Sequence, residues 1–477
     1  MRIKFENLGP IKKGILNLNI FSFQKINLII GPNNSGKTYL SYLIFTILKA
    51  LENINIRRYP FSFLQTIKSF EGAFLLENEN EDELFKIIKN NIESTIKRKL
   101  PIVFHTTRNF FKEFKIKIID IEEEKRRFRT INDTITGYSL EQDILVEMSK
   151  KGSNIIFKII KNEEKMSFKE FKELSNFLKE NGVSFLFREN LDSTKEDNQF
   201  FVTNIFNNFI EKIFSIIPKI MFFPAERSGV SLFYKQLLEN RSDILREIEA
   251  GKNFFQERVS RYSEPVNEYI KFLNSIEAGK LKESNIYEKV RNYIQKILSG
   301  NIDIEEHSLI YKNEKNTLEL DMGLVSSTVK SLAGFFIYLK YIAKEGDIIF
   351  IDEPELNLHP SNQRELIQLF IMLTNLGLRF ILSTHSPIIT QEINNHLLFE
   401  FKKKKSNLEN IIAKYHINEK YFGLKSSDMN ILFLNNNEIE NLEIISSEIN
   451  TTTFNDVIGE IYDLHDDLLF SDECDEG

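Results

Sequence analysis

The sequence predicts an α/β fold in which a parallel sheet carries a phosphate-binding loop. Residues 26–30 read INLII, an apolar run typical of a buried parallel strand. Residues 31–38 follow with the pattern G-x-x-x-x-G-K-T, and the stretch after them repeats apolar residues with helical spacing. Strands also alternate with helices from residue 344 to residue 395, which is the order that builds a parallel sheet.

The glycine-rich loop has the chemistry of a phosphate site. Glycines at both ends let the backbone wrap an anion without Cβ clashes, so successive N–H groups point inward. The Lys37 ammonium can reach β- and γ-phosphates, the Thr38 hydroxyl can bind Mg²⁺, and the following helix adds its N-terminal dipole. An ordinary glycine-rich turn would lack the flanking strand and helix. The predicted nucleotide contacts are Gly31, Asn33, Asn34, Ser35, Gly36, Lys37 and Thr38.

Length and composition narrow the class of protein. A chain of 477 residues is too long for one compact core, so two or more structural units are expected. The net charge of −7 argues against a surface that coats nucleic acid through its overall field. The single cysteine, Cys474, allows no internal disulfide. Since neither a signal peptide nor an apolar run of ~20 residues is present, a cytoplasmic protein without a membrane partner is expected.

Two short strands are predicted before the loop, over residues 3–8 and 15–20, because apolar and polar side chains largely alternate there. Gly9-Pro10 and Gly14 are predicted to form the turn between them. From about residue 53 the pattern becomes mixed. Helices are predicted over residues 81–99, 168–180 and 201–217, and strands over residues 114–119 and 155–160.

The chain returns to strands and helices near residue 216. The predicted strands cover residues 220–223, 308–311, 317–320, 347–351 and 379–383, and the predicted helices cover 332–343 and 362–373 and resume after Pro387. The chain therefore divides into four predicted segments. These are residues 1–52 with the loop, 53–215 as a mixed insertion, 216–396 completing the nucleotide-binding unit, and 397–477 as a C-terminal extension with an acidic tail.

Two later strand ends carry the polar groups that nucleotide hydrolysis needs. Asp352 ends an apolar strand, which in a parallel sheet places its carboxylate beside the loop, where it can hold Mg²⁺. The adjacent Glu353 is positioned to polarise an attacking water. Another apolar strand leads into His385, which would face the γ-phosphate. The alternative is a buried strand that merely ends in an exposed acidic turn.

At these strand ends the sequence resembles a known family. The motifs DEPELNLHP over residues 352–360 and STHSP over residues 383–387 resemble those of ABC-type ATPases of the SMC, RecF and OLD group. The resemblance covers about residues 1–50 and 220–395. It implies an ABC-type head that binds and hydrolyses ATP with Mg²⁺, built from a mixed N-terminal β lobe and a parallel α/β core, with a large mixed α+β insertion.

The resemblance also implies a role for each motif. Residues 31–38 would be the Walker A loop and residues 348–352 the Walker B strand, with Thr38 and Asp352 on the metal. Glu353 would be the catalytic carboxylate and His385 the switch histidine. A D-loop would lie around residues 357–359.

The family signature, Leu-Ser-Gly-Gly-(Gln/Glu)-Lys, aligns with VSSTVK over residues 325–330. The resemblance implies that Ser326 contacts the γ-phosphate bound by another copy, and hence a head-to-head dimer or higher oligomer. Ser327 and Thr328 replace the two signature glycines, which departs from the close backbone approach of the family. Read alone, the stretch is a polar cap before an apolar helix.

Residues 224–227, PAER, lie where the group places its Q-loop, but no glutamine ends this strand. Arg227 or Glu226 would then take over the contact to phosphate or metal. The alternative is an ion pair that stabilises a turn.

The partners are inferred from the same resemblance. A Toprim nuclease domain and long heptad arms are both absent from the sequence pattern. The chain is similar to stand-alone OLD-like ATPases of anti-phage systems such as Septu and PARIS, in which the ATPase controls a separately encoded effector, often a nuclease. A RecF-like DNA repair factor and a slow, ATP-locked scaffold are the alternatives. Short basic patches keep DNA contact open, although a solvated surface is the default for each: Arg57-Arg58, Lys97–Lys99, Lys125–Arg127 with Arg129, and Lys402–Lys405.

Overall fold

A computed structural model describes most of the nucleotide-binding unit and part of the predicted insertion. The described residues are 1–18, 24–52, 78–122, 125–126, 133–139, 144–151, 154–161, 219–237, 262–276, 282–305, 308–315, 317–403, 408–415, 417, 422–442, 444–445, 448–449 and 463. The helices predicted over residues 168–180 and 201–217, and most of the acidic tail, lie outside these ranges.

Seventeen strands and eight α-helices among the described residues are numbered in chain order. The strands are β1 (Arg2–Leu8), β2 (Ile11–Asn17), β3 (Ile26–Ile30), β4 (Lys115–Asp120), β5 (Asp133–Ser139), β6 (Ile144–Lys151), β7 (Asn154–Lys161), β8 (Ile220–Phe223), β9 (Gly300–Glu305), β10 (Ser308–Asn313), β11 (Glu319–Asp321), β12 (Ile348–Asp352), β13 (Arg379–Thr384), β14 (Met429–Asn435), β15 (Glu438–Asn441), β16 (Ile444–Ile445) and β17 (Glu448–Ile449). The helices are α1 (Lys37–Glu52), α2 (Asn78–Val103), α3 (Glu264–Ser275), α4 (Asn285–Leu298), α5 (Ser327–Tyr341), α6 (Pro360–Asn375), α7 (Pro387–Lys403) and α8 (Glu409–Tyr415).

One nine-stranded sheet organises the described part of the chain. Its order is β4-β1-β2-β15-β14-β3-β13-β12-β8. Strands β14, β3, β13, β12 and β8 pair in parallel, whereas β4, β1 and β2 pair antiparallel. Smaller antiparallel sheets are formed by β5–β7, by β9–β11 and by β16–β17. The predicted α/β class, with a mixed N-terminal β part, a parallel core and a mixed α+β insertion, is confirmed.

Both faces of the parallel strands are buried, which explains their continuous apolar sequence. Side chains alternate between faces, so Phe222 and Phe350 pack toward α1, whereas Phe223 and Ile351 pack toward the helices on the other side. The first face also contains β1, β2 and α2, and the second contains α3 to α7. The sheet is therefore covered on both sides, and its strand ends form the accessible edge.

Two element predictions are wrong in detail. Gly14 lies within β2 and not in the turn; it pairs with Phe5, and a Cβ on Gly14 would lie 2.8 Å from the Phe5 ring. Glycine is needed there for side-chain packing. Helix α2 continues through Pro101 to Val103 instead of ending at residue 99, because Leu100 and Val103 are fully buried in the core and favour the last turn. Several strands have no counterpart among the predicted elements, namely β5, β6, β9 and β14 to β17.

The sheet draws strands from all four predicted segments, the insertion included. Strand β4, from residues 53–215, forms its edge beside β1, and α2 packs against α1. Strands β14 and β15, from residues 397–477, lie between β3 and β2. The domain boundaries stay a prediction, and these elements join the main sheet across them. No helix in the described ranges is both long and apolar enough to cross a membrane.

Candidate functional site

The phosphate loop, Asp352, Glu353 and His385 meet at the carboxyl edge of three adjacent parallel strands. Strand β13 lies between β3 and β12, with Thr384 paired to Ile30 and Ser383 paired to Asp352. The chain leaves β3 as the glycine-rich loop, leaves β12 at Asp352, and leaves β13 toward His385. Parallel sheets bind ligands at this edge, and the three adjacent strands bring three motifs together there.

The loop over residues 31–38 has the backbone of a phosphate cradle. Asn34 and Gly36 have positive φ values of 62° and 101°, and α1 begins directly afterwards at Lys37. A Cβ on Gly36 would lie 2.8 Å from Ile11, because the β1–β2 turn packs against the loop. At the tip, Asn33 and Asn34 are exposed. The closed turn and the helix N-terminus together suit an anion.

Two polar groups inside the loop fit a phosphate ligand. Lys37 is buried, and its Nζ donates to the carbonyl oxygens of Gly31 and Pro32 at 2.9 and 2.8 Å. Burial lowers the pKa of Lys37, and the nearby carboxylates, Glu353 first, oppose that shift. The buried Ser35 Oγ has no hydrogen-bond partner within the described residues. An anion in the cradle would supply acceptors for both groups.

Asp352 and Thr38, the predicted metal ligands, contact each other directly. The Thr38 hydroxyl donates to Oδ2 of Asp352 at 3.0 Å, and the Ser383 hydroxyl donates to Oδ1. Asp352 is almost fully buried, and this burial raises its pKa to about 6. One carboxylate and one hydroxyl are the sparse protein ligands that Mg²⁺ takes beside phosphate oxygens. In the described ranges, no cluster of three or more His, Cys, Asp or Glu side chains could hold a metal alone.

Glu353 occupies a left-handed backbone conformation at the end of β12, with φ of 50°. Its N–H donates to the carbonyl oxygen of Ser383 at 3.0 Å, and its side chain is partly exposed. The Nδ1 atom of His385 lies 3.7 Å from the carboxylate of Glu353. The two predicted catalytic residues are therefore neighbours, and the Glu353 side chain is partly exposed whereas Asp352 is buried.

Glu355 is a site residue that the sequence analysis did not single out. Its buried carboxylate accepts hydrogen bonds from the Thr384 hydroxyl at 2.8 Å and from the His385 N–H at 3.0 Å. It also lies 3.3 Å from Nδ1 of His385. Glu355 thereby ties the turn after β12 to the turn after β13. The available signal was a second acid two residues after Glu353, between Pro354 and Leu356.

Arg227, predicted to contact phosphate or metal, is bonded to the backbone in this structure. Its side chain is buried and donates to four backbone carbonyl oxygens, those of Pro224, Ser331, Asp352 and Glu353. These hydrogen bonds place the guanidinium against the backbone at the carboxyl ends of β8 and β12. Glu226 beside it is exposed. The turn-stabilising alternative is nearer to the structure, with carbonyl oxygens in place of an ion-pair partner.

The Ser326 turn faces outward. Ser326 caps α5 by accepting from the Val329 N–H at 3.3 Å, and it is exposed, as is Leu324 before it. The Thr328 hydroxyl donates to the carbonyl oxygen of Asn357 at 3.2 Å. This contact joins the Ser326 turn to the segment after Glu353, so the two predicted motifs of residues 325–330 and 357–359 are neighbours within one chain.

Sequence and structure comparisons give these results. Residues 1–390 match the family model described as AAA ATPase domain. The SMC head domain from Thermotoga maritima is 10% identical with a TM-score of 0.29, over 93% of this chain and 98% of that chain. An SmcHead bound to the C-winged helix domain of ScpA is 9% identical with a TM-score of 0.31, over 93% and 97%. No curated protein matches the chain.

Proposed function

Because this chain belongs to the AAA ATPase domain family, we propose that it hydrolyses ATP, with Glu353 as the residue that orients the attacking water. Family membership confirms the predicted ATPase class. The observation that carries the catalytic assignment is the geometry at the sheet edge. Thr38 contacts Asp352 at 3.0 Å, and the next residue, Glu353, points its partly exposed carboxylate toward His385.

Each residue at the edge has a distinct task in this proposal. The N–H groups of residues 31–38 and the Lys37 ammonium hold the β- and γ-phosphates. Thr38 and Asp352 hold Mg²⁺, which when bound neutralises charge on the phosphate oxygens. Glu353 accepts a hydrogen bond from the attacking water and takes its proton. His385 donates a hydrogen bond toward the γ-phosphate, and Glu355 fixes the turn that carries it.

The second part of the proposal is a nucleotide-gated dimer. The Ser326 turn is exposed and ends in the N-terminus of α5, so it presents a hydroxyl and a helix dipole to its surroundings. We propose that each Ser326 turn contacts the γ-phosphate bound by a second copy. ATP then closes the dimer, and hydrolysis reopens it.

What the opening and closing of the dimer controls is proposed from the motif resemblance alone. The stand-alone OLD-like ATPases of anti-phage systems control a separately encoded effector, often a nuclease. We propose the same organisation here, with the opening and closing of the dimer passed to a bound effector protein. Binding of DNA by the head, as in a RecF-like repair factor, is the competing use of the same ATPase.

The catalytic assignment is tested with Glu353→Gln, which keeps the size of the side chain and removes its basic oxygen. We expect steady-state ATP turnover to fall by roughly 10²–10³-fold, since general-base contributions are of this size. The variant should still bind ATP and should accumulate as an ATP-bound dimer in light scattering. Glu345→Gln is the matched control, an exposed glutamate before β12 at the opposite end of the strand.

Normal turnover in Glu353→Gln would overturn the catalytic assignment, and absence of an ATP-bound dimer would overturn the proposal that nucleotide closes the dimer.

The effector proposal has a separate test. The chain is co-expressed with its flanking genes and purified with ATP, and the copurifying mass is measured. A stoichiometric protein supports the effector. Tight, salt-sensitive duplex binding by the isolated chain, with stimulated turnover, supports the DNA alternative instead.

A further inference from the structure

Arg227 is a buried cation whose partners are backbone carbonyls from three separate elements. Nη1 donates to Pro224 at 3.2 Å and to Asp352 at 2.6 Å, while Nη2 donates to Glu353 at 2.7 Å. Nε donates to Ser331 in α5 at 3.0 Å. One planar group thus joins the end of β8, the end of β12 and the helix that follows the Ser326 turn. Burying a charge is costly unless hydrogen bonds satisfy it, so this arrangement must be maintained by the surrounding fold.

The carbonyls of Asp352 and Glu353 lie on the two sides of Glu353, a residue whose backbone is strained. Glu353 has φ of 50°, a conformation that disfavours residues with a Cβ, and the following Pro354 restricts it further. Such a turn persists only where its surroundings over-determine it. Arg227 fixes the carbonyls on both sides of Glu353, and the Ser383 carbonyl accepts from its N–H at 3.0 Å. The direction of the Glu353 side chain follows from these three hydrogen bonds.

The remaining hydrogen bond of Arg227, from Nε, connects the turn at Glu353 to α5. Ser331 accepts from Nε of Arg227 through its carbonyl, and its own hydroxyl donates to the carbonyl oxygen of Leu356 at 3.1 Å. The Ser326 turn caps the same helix. A displacement of the start of α5 would therefore act on both sides of the Asp352–Leu356 segment. Arg227 is the part of this connection that reaches Glu353 directly.

We propose that Arg227 is a positioning residue that orients the Glu353 carboxylate and couples it to the Ser326 end of α5. The inference rests on the proposed role of Glu353 in ATP hydrolysis. The planar guanidinium is essential to it, because a fork of fixed donors can hold carbonyls of three elements at once. A lysine ammonium in the same place is a point charge that cannot reproduce that geometry.

The main test is Arg227→Lys, which keeps the positive charge and removes the fork. We expect kcat for ATP to fall about 10- to 100-fold, since a misplacement of about 1 Å at a reacting group can cost this much. The apparent KM and the Kd for a fluorescent ATP analogue should stay within about twofold, because the four hydrogen bonds of Arg227 go to residues outside the loop over residues 31–38. A residue that contributes only to stability would not lower kcat per folded molecule while KM and Kd stay unchanged.

Two further measurements separate positioning from folding. In Arg227→Ala, added guanidinium at millimolar concentration should restore part of kcat, since it can refill the vacated site. Lys340→Gln is the matched control, a buried cation near the other end of α5 that contacts Asp303 and the Ile302 carbonyl. It should lower the melting temperature and leave kcat per folded molecule unchanged.

Each result either supports or overturns the positioning role of Arg227. A folded Arg227→Lys protein with wild-type kcat overturns the positioning role, and so does a parallel loss of kcat and ATP affinity. If neither Arg227 variant folds while Lys340→Gln does, Arg227 is a stability residue and the inference is overturned. Glu353→Gln separates failure of the proposed function from failure of this inference. Normal turnover in Glu353→Gln would overturn the proposed function itself. Lost turnover in Glu353→Gln together with wild-type turnover in Arg227→Lys would overturn the inference alone.

Discussion

The two parts of the proposed composite site are built differently. At the sheet edge, polar side chains are bonded to one another, as the buried Asp352 is to Thr38 and Ser383. At the Ser326 turn, the polar side chains are exposed, and Ser326 itself bonds only to the backbone of its own helix among the described residues. The first part is complete within one chain. The second presents its groups outward, which suits a ligand held by another copy.

This contrast separates the chemistry of the site from its assembly. Buried groups such as Asp352 and Glu355 gain orientation from the low-dielectric surroundings and lose it when one partner is removed. The exposed Ser326 is held only by its capping hydrogen bond within α5 among the described residues, so a contact to a ligand would have to come from outside this chain's own site. Substitutions in the first part are therefore expected to abolish turnover in any oligomeric state, whereas substitutions in the second should act through the contact between copies.

The largest effect is expected for Asp352→Asn. The amide keeps the hydrogen bonds to Thr38 and Ser383 in part but removes the negative charge that a metal ligand needs. ATP turnover at saturating Mg²⁺ should fall roughly 10²- to 10³-fold, comparable to the loss of a charge-stabilising group in other active sites. Steady-state phosphate release measures it.

Asp347→Asn is the matched control for that experiment. Asp347 is also buried, lies immediately before the same strand at its opposite end, and accepts hydrogen bonds from the Tyr338 hydroxyl at 2.7 Å and the Lys344 N–H at 2.9 Å. Its substitution should lower stability and leave turnover per folded molecule unchanged. Equal losses of turnover in both variants would mean that Asp352 acts only through the fold.

The sequence predicted the sheet edge well because each motif there is attached to its own apolar strand. Residues 26–30, 348–351 and 381–383 are buried on both faces, so their pattern is unmistakable and their carboxyl ends must meet. What the pattern could not give is the direction of side chains after the strand ends. The four carbonyl partners of Arg227 were not foreseen for that reason, since nothing in the local sequence indicates where its side chain turns.

Long-range pairing was the other limit. Strand β14 inserts between β3 and β15 although nearly 400 residues separate it from β3, and the 397–477 segment was predicted as an extension. Strand β4 reaches the opposite edge from inside the predicted insertion. A strand was predicted for β4 and none for β14, and the choice of neighbour for either strand depends on contacts distant in sequence. Glu355 was missed similarly, because its partners Thr384 and His385 lie about 30 residues away.

A smaller effect is expected for Ser326→Glu, which tests whether the Ser326 turn meets a nucleotide. A carboxylate at this position would repel a γ-phosphate presented by a second copy, and like-charge contacts across an interface cost several kcal/mol. Turnover should fall at least about tenfold, and the ATP-bound dimer should weaken. Binding of ATP by the single chain should not change. Light scattering and a nucleotide-binding titration measure the two effects.

Leu318→Glu makes the same charge change at an exposed position of the β10–β11 hairpin and should leave both quantities unaltered. If the two variants behave alike, the Ser326 turn is only the cap of α5. A decrease in ATP affinity of the Ser326→Glu monomer would instead place the turn next to its own loop.

The smallest effect concerns His396, a buried polar group of the fold rather than of the site. Its Nδ1 accepts from the Gly423 N–H at 3.1 Å, and its ring stacks on Phe422 with centroids 3.8 Å apart. Burial first, and the charge of Arg364 second, lower its pKa to about 3, although Glu392 lies 3.7 Å from Nε2. The folded protein therefore keeps this imidazole neutral at pH values where the unfolded chain binds a proton.

The unfolded histidine titrates near pH 6.5, so its contribution to stability is intact above that pH and is lost as pH falls toward 3. Between about pH 7.5 and about pH 5, this loss amounts to about 2 kcal/mol. We expect His396→Asn to be less stable near neutral pH, because it loses ring packing, but to lose about 2 kcal/mol less on acidification. Urea unfolding at the two pH values measures the difference. His359→Asn, at the exposed cap of α6, is the control. An acid sensitivity unchanged in His396→Asn would mean that the folded protein accommodates the imidazolium, through Glu392, rather than excluding it.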